Sequence, residues 1–573
     1  MDQESVIASL PTHLRPFAAV QHYERYTPRD HAVWGFLLHQ LSAQLNDTAH
    51  AVYVQGLVAT GLSLEKIPRI EDINEHLAAL GWRAVVVSGF VPPAIFMEFQ
   101  AHRVMPIAVD MRTIDHMLYT PAPDIVHESA GHLPFVVDVD YAEFLQRFGE
   151  LGMHAIANRA DLDVYEAVRH LSIVKESPGA TGADIAAAEE RLAAATAADT
   201  NPSEAALLAR LHWWTVEYGL VGTTDDYRIF GAGLLSSLGE SVNCLNDGTV
   251  KKVPLTVDAI DTAYDITTEQ PQLFVTANCR HLTQVLDEFG KRMAVTEGGR
   301  SGLERAREAA TVVTAIVNSG AMVSGVICEV ICNSVGSVDY LRTTGPSQLA
   351  YANEELPNHG IDYHADGFGS PIGRLKAMER CLSSYTIDEL KRHGIATGQR
   401  VHLDFLSGIT VIGQLEQILR REQKNIVMSF TDCTVTALDG RRLFEPAWGV
   451  FDMLVGAEIV SVCGGSADPV RFPLYAEPSK EHAGGDETSP ELDALFEHYA
   501  AVRHCREQGG TNADELADTA LSRYADEWLL LFEAAEVSDA HRQSLIERLQ
   551  QLAAMSDEQR RRLIDYGLGR LAA

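Results

Sequence analysis

Cysteine is scarce in this chain: eight residues in 573, at positions 244, 279, 328, 332, 381, 433, 463 and 505. They make no CxxC pair and no framework spacing, which excludes a disulfide-stapled fold and points to reduced thiols in a cytoplasm. Basic residues are also in short supply. Forty-six Lys and Arg stand against 79 Asp and Glu, a net charge of −33. Such a polyanion repels phosphate backbones, so a nucleic-acid partner is not expected. The opening stretch, MDQESVIASLPTHLRPF, lacks a basic start followed by an apolar core, and no signal peptide is read there. One uncharged run, Ala309 to Cys328, is long enough to cross a bilayer. It is broken by Asn318, Ser319 and Gly320 and is rich in Val, Ile and Thr. It therefore reads as two buried strands joined near Ser319-Gly320, with no membrane partner. There is no internal repeat. What remains is ordinary: 46% apolar and 22% charged residues, as in a globular protein. The length suggests roughly four domains.

The first 300 residues mix helical periodicity with proline-marked turns. The Ala- and Glu-rich region from Val164 to Leu211 predicts two helices broken at Asn201-Pro202. From Gln399 the period changes to two. Val401, Leu403 and Phe405 alternate with polar residues, as do Ile426, Met428 and Phe430, and Asp439-Gly440 marks a hairpin. Residues 399–476 thus read as a small antiparallel β domain after a mixed connecting region, 299–398. Residues 477–490 have the composition of a linker. The region 491–573 is expected to be helical, with Leu545, Ile546, Leu549 and Leu552 on one apolar stripe. Ser556 and Gln559 would form the capping box of its last helix.

The chemistry is concentrated in TPAPDIVHESAGH, residues 120–132, where His127 and His132 stand five apart. Five residues advance an α-helix by about 500°, which leaves the two side chains about 140° apart. Both can reach one metal only if the helix ends or bends between them, and Gly131 and Pro134 stand where that would happen. A zinc-protease HExxH motif, with its ligands four apart, does not fit. Downstream, HWWTVEYGL (212–220) sets Glu217 in an apolar run, a costly place for an unpaired charge. A cation beside it would relieve that cost; so would an arginine partner. Two histidines and one carboxylate with a face left open is the non-haem Fe(II) oxygenase arrangement.

These residues belong to a longer pattern. YTPRDHAVW (26–34), GLSLEKIPRIEDIN (61–74), GFVPPAIFMEFQAHRVMPI (89–107), TPAPDIVHESAGH, WWTVEYGL, FGAGLLSSLGE (230–240) and YDITTEQPQLFV (264–275) occur in an order that resembles the tetrahydrobiopterin-dependent aromatic amino acid hydroxylases. The likeness covers roughly residues 20–298. It implies an α+β fold: a mainly helical hydroxylase catalytic domain over 1–298, then the small antiparallel β unit and the C-terminal helical region. It implies Fe(II) held by His127, His132 and Glu217. Tetrahydrobiopterin would lie against Gly89, Phe90 and Val91, with Phe96 stacked on it and Glu128 nearby. The amino acid substrate would meet Arg112, whose planar donors suit a carboxylate, along with Thr120, Pro123, Trp213 and Ser236. Trp213 and Ile266 match positions that favour L-phenylalanine, so the implied activity is a monooxygenase making tyrosine with O2. The neutral histidines needed for metal binding imply falling activity at low pH.

The sequence also departs from the family. His132 and Glu217 are 85 residues apart, longer than the family spacing, and the Ala- and Glu-rich helices (about 160–208) read as an insertion. His212 stands where a tyrosine is usual, and Ala122 where a glutamate is usual. Para- and meta-hydroxylation of phenylalanine, and tryptophan as substrate, therefore stay open. So do a zinc hydrolase on the same three residues and a catalytically silent amino-acid sensor. No N-terminal regulatory module is recognised, and residues 299–573 do not resemble the family's short tetramerisation helix. They could mediate partner binding, regulation or homo-oligomerisation, or be a packing extension.

Overall fold

The computed structural model of the chain describes residues 2–87, 91–118, 123–176, 179–198, 201–246, 248–266, 268–476, 489–510 and 512–572. Its organising element is the helix Pro28–Leu45. Thr27 caps it through a reciprocal box with Asp30, and Pro28 occupies the first turn, where no amide hydrogen is missed. Trp34, Phe36, Leu37 and Leu38 on this helix are fully buried, so it is covered on more than one side. The N-terminal half packs against one face. The other receives the C-terminal helices: Phe36 meets Trp528 and Phe532 edge-on at centroid distances of 5.3 and 5.1 Å. A single hydrophobic core therefore joins the hydroxylase-like half to residues 490–572.

Around that helix lie a parallel pair of strands, Arg83–Val87 with Val104–Ala108, and a four-stranded sheet that includes Leu220–Gly222 and Gln272–Thr276. The Ala- and Glu-rich region forms three helices rather than two, Arg159–Glu176, Gly182–Ala198 and Glu204–His212. The additional break falls between Glu176 and Gly182, while the predicted one at Asn201-Pro202 separates the last two helices. The linker's residues 477–488 lie outside the described residues.

Residues 312–464 form two packed antiparallel sheets. Val312–Val317 and Ala321–Cys332 are a hairpin through Gly320 (φ 91°), as the uncharged run predicts. The boundary drawn at 398/399 needs correction, because the strand Ile459–Gly464 returns to pair with Val312–Val317. The two regions share one sheet. The strand Lys424–Thr436 serves both cores: Val427 faces the cluster around Val323, while Met428 and Phe430 face that around Leu403. This β unit docks through Gly464, whose amide donates to His154 O at 2.9 Å. A side chain there would sit 2.3 Å from Ala155 O. Buried Glu204 ties the junction, accepting from Ala294 N (2.6 Å) and Arg305 Nη1 (2.8 Å).

In the C-terminal region Leu545, Leu549 and Leu552 are buried as the stripe predicts. The last helix, Glu558–Ala572, is capped by Asp557, which accepts from Arg560 N at 2.8 Å. Ser556 instead ends the preceding helix, and Gln559 reaches Asp115 O at 2.7 Å. No helix among the described residues is long and apolar enough to cross a membrane.

Candidate active site

His127 and His132 lie on a π-helical turn, Val126–His132, in place of the helix end or bend expected between them. Hydrogen bonds from i to i+5 close such a turn and bring residues five apart onto one face. Gly131 does not cap it. A Cβ at that position would lie 2.9 Å from Ala232 O, so the glycine permits close approach of the 231–236 segment. Pro134 falls in the following 3-10 turn, Leu133–Val137. A second π-helical turn, Trp213–Glu217, carries Glu217.

The two turns converge. His127 Nε2 and His132 Nε2 are 3.1 Å apart. Glu217 places Oε2 3.3 Å from the first and Oε1 3.4 Å from the second. Two nitrogens and a carboxylate thus face a common point. Burial pushes the Glu217 carboxyl up, but His132 and His127 hold it well below the usual carboxylate range. Ser236 Oγ donates to Ala232 O (2.8 Å) and stands 3.0 Å from His127 Nδ1. Its proton being committed, it accepts from Nδ1–H, which leaves the Nε2 lone pair free.

Two further groups crowd this point. Glu128 Oε2 lies 3.9 Å from His132 Nε2, and burial pushes its carboxyl up to about 8. It is the less suitable carboxylate ligand, since Glu217 is closer and spans both imidazoles. His212 Nδ1 lies 3.7 Å from Glu217 Oε1, and burial lowers the imidazole to about 4. Phe96 meets His212 edge-on at 6.4 Å, so the ring expected to stack on pterin borders the cluster.

Arg112 is buried and bidentate to Asp124, with Nε and Nη2 each 2.7 Å from a carboxylate oxygen, while Nη1 donates to Ser236 O at 2.9 Å. Among the described residues, three of its five N–H groups are engaged. Asp124 stands in no motif that marks it as an arginine partner. The signal was available: a buried arginine needs an acid, and Asp124 also accepts from His127 N, three residues on. Trp213 is stacked between Tyr264 (4.4 Å) and Tyr218 (4.6 Å). Val91 is half-buried and Pro123 exposed. Gly89, Phe90, Thr120 and Ala122 lie outside the described residues.

The family model for biopterin-dependent aromatic amino acid hydroxylases matches residues 3–171 and 182–296. Only ten residues between the two matched stretches fall outside it, fewer than the insertion read from the sequence. The chain is 33% identical over 265 residues to the phenylalanine-4-hydroxylase of Ralstonia nicotianae, covering 46% of this chain and 71% of that protein. It is 31% identical over 264 residues to the Pseudomonas aeruginosa phenylalanine-4-hydroxylase, covering 46% and 84%. A Chromobacterium violaceum phenylalanine hydroxylase structure with iron(III) and 7,8-dihydrobiopterin is 26% identical over 51% of this chain and 91% of that one, at a TM-score of 0.39. The chain belongs to the biopterin-dependent aromatic amino acid hydroxylases. It is an enzyme of that pterin-dependent class, carrying a further C-terminal half that these matches do not cover.

Proposed function

We propose that the enzyme hydroxylates L-phenylalanine to tyrosine with O2 and a tetrahydropterin, on iron(II) held by His127, His132 and Glu217. The observation that carries this reading is the largely buried Glu217 carboxylate facing two imidazole nitrogens at 3.3 and 3.4 Å. The donor set suits the metal: two neutral imidazoles and one carboxylate leave a face open. His132 Nδ1 has no partner among the described residues, so nothing competes for that imidazole's orientation except the metal-facing nitrogen. Bound iron, with the pterin as two-electron donor, supplies the activation of O2.

The chain's own residues do the rest. Ser236 holds His127 in the tautomer that offers Nε2. Asp124 fixes the Arg112 guanidinium, whose N–H groups not engaged among the described residues would take the substrate carboxylate. Trp213, held flat by its aromatic neighbours, would wall the ring pocket with Pro123, and Thr120 would assist Arg112. Gly89, Phe90, Val91 and Phe96 would receive the pterin. Glu128, beside the first ligand, would border it.

The test is Glu217→Gln, which preserves size and removes the charge. Iron-dependent tyrosine formation should fall at least about 100-fold, since a ligand should matter more than the 10–100-fold typical of groups that only orient ligands. Product chromatography of the parent should show para-tyrosine; meta-tyrosine as the main product would overturn the assigned regiochemistry.

A further inference from the structure

A second cluster of metal-ligating side chains lies in the β unit, outside the hydroxylase-like half. His359 and His364 sit on the loop between the strands Glu354–Glu355 and Gly369–Pro371. Asp452 is on the strand Phe451–Leu454 of the other sheet. All three are at least nine-tenths buried, with exposures of 8%, 8% and 5%. Their ligand atoms lie within 4.8 Å of one another. His359 Nδ1 and His364 Nε2 are 3.2 Å apart, close to the 3.1 Å between the active-site imidazoles.

The backbone holds these groups firmly. Leu349 N donates to His359 O at 2.9 Å and Ser347 N to His364 O at 3.1 Å, so the loop is pinned to the strand Val338–Tyr351. Asp452 sits opposite Ser429 in an antiparallel ladder, and Ser429 Oγ donates to its Oδ1 at 2.5 Å. That leaves Oδ2 turned toward His359 Nδ1 at 4.0 Å. This separation is too long for a hydrogen bond. Two ligand bonds of about 2.0–2.2 Å to a shared ion span about 3.3–3.6 Å at a tetrahedral angle, and the observed 3.2 and 4.0 Å bracket that span. A hydrogen-bonded Asp–His–His relay would have closed the longer gap.

We propose that His359, His364 and Asp452 form a second metal site, for a divalent transition ion of the zinc type. Two imidazoles and a carboxylate are the donors such ions take. Tyr363, half-exposed, packs edge-on against His364 with ring centroids 4.8 Å apart and so borders the cluster on its solvent side. An ion there joins a loop of one sheet to a strand of the other, so its role is to clamp the two sheets. The orienting bond from Ser429 is the support a ligating carboxylate ordinarily has.

The test is a Co(II) titration of the full chain stripped with a chelator, read as equivalents bound and as visible d–d absorption. The parent should bind two equivalents, His127→Ala/His132→Ala one, and His359→Ala/His364→Ala one. Asp452→Asn, the mildest variant, should lose one equivalent relative to the parent. Added to the His127→Ala/His132→Ala chain, Asp452→Asn should also abolish the rise in melting temperature that Co(II) gives that chain. That comparison is independent of the active-site reading: were the catalytic triad not to bind metal, the parent would take up one equivalent and Asp452→Asn none. A His127→Ala/His132→Ala chain that binds no Co(II), or an Asp452→Asn chain with the parent's stoichiometry, would overturn the proposal.

Discussion

Single residues divide into those that face the cluster and those that set its members. Ser236 is the clearest of the second kind, because its hydroxyl proton is spent on Ala232 O and only its lone pair is left for His127. Ser236→Ala should lower iron affinity about 10- to 100-fold, with no comparable loss of thermal stability; unchanged affinity in an iron titration would refute the role. Glu240 is buried beneath Tyr218, whose hydroxyl donates to it at 3.1 Å, and burial pushes its carboxyl up to about 7. The unfolded carboxyl ionises from about pH 4.5. Between 4.5 and 7 the folded chain keeps a proton that the unfolded chain has lost, so stability falls as pH rises through that window and then levels off. Glu240→Gln removes this loss. Relative to the parent, it should be on the order of 2–3 kcal/mol more favourable at pH 8 than at pH 4.5 in denaturant melts. An offset that does not change with pH would show that Glu240 titrates normally.

At the level of elements, the pattern that named the site also hid its geometry. The five-residue spacing of His127 and His132 excludes an ordinary helical face, and that much is legible from the residues. That the chain answers with a π-helical turn is not, because such a turn is held by the segment packed on Gly131 rather than by local propensity. The second histidine pair is illegible in the residues for a similar reason. His359 and His364 lie in a loop with no periodicity, and their carboxylate comes from a distant strand whose pairing joins them only in the folded sheet. The docking of the helix Pro490–Gln508 was equally invisible, since it rests on Arg503. That guanidinium is buried, pairs with Glu533 and donates to Glu65 O. Arg506 adds a 3.1 Å contact to Glu65. Arg503→Met should cost about 3 kcal/mol by leaving buried Glu533 only its 3.6 Å contact to Arg506, and Arg503→Met/Glu533→Met should recover most of it. Chemical denaturation would show this, and a neutral single variant would refute the pairing.

The whole molecule is a hydroxylase whose core is completed by its own C-terminus. The ordered blocks over residues 20–298 made the class readable. The apolar stripe at 545–552 could not reveal its partner, because a stripe specifies burial and not what buries it. The structure shows that partner to be the chain itself: Tyr566 reaches Leu238 O at 3.4 Å and Gln559 reaches Asp115 O, near the segments that carry Ser236 and Arg112. The catalytic half is thus braced from behind by residues the family match leaves out. Intact chain loaded with iron(II), given phenylalanine and O2, should release tyrosine in step with tetrahydrobiopterin oxidised, about one for one, and release none when the pterin is withheld. Tyrosine formed at the same rate without any pterin would contradict the proposed reaction.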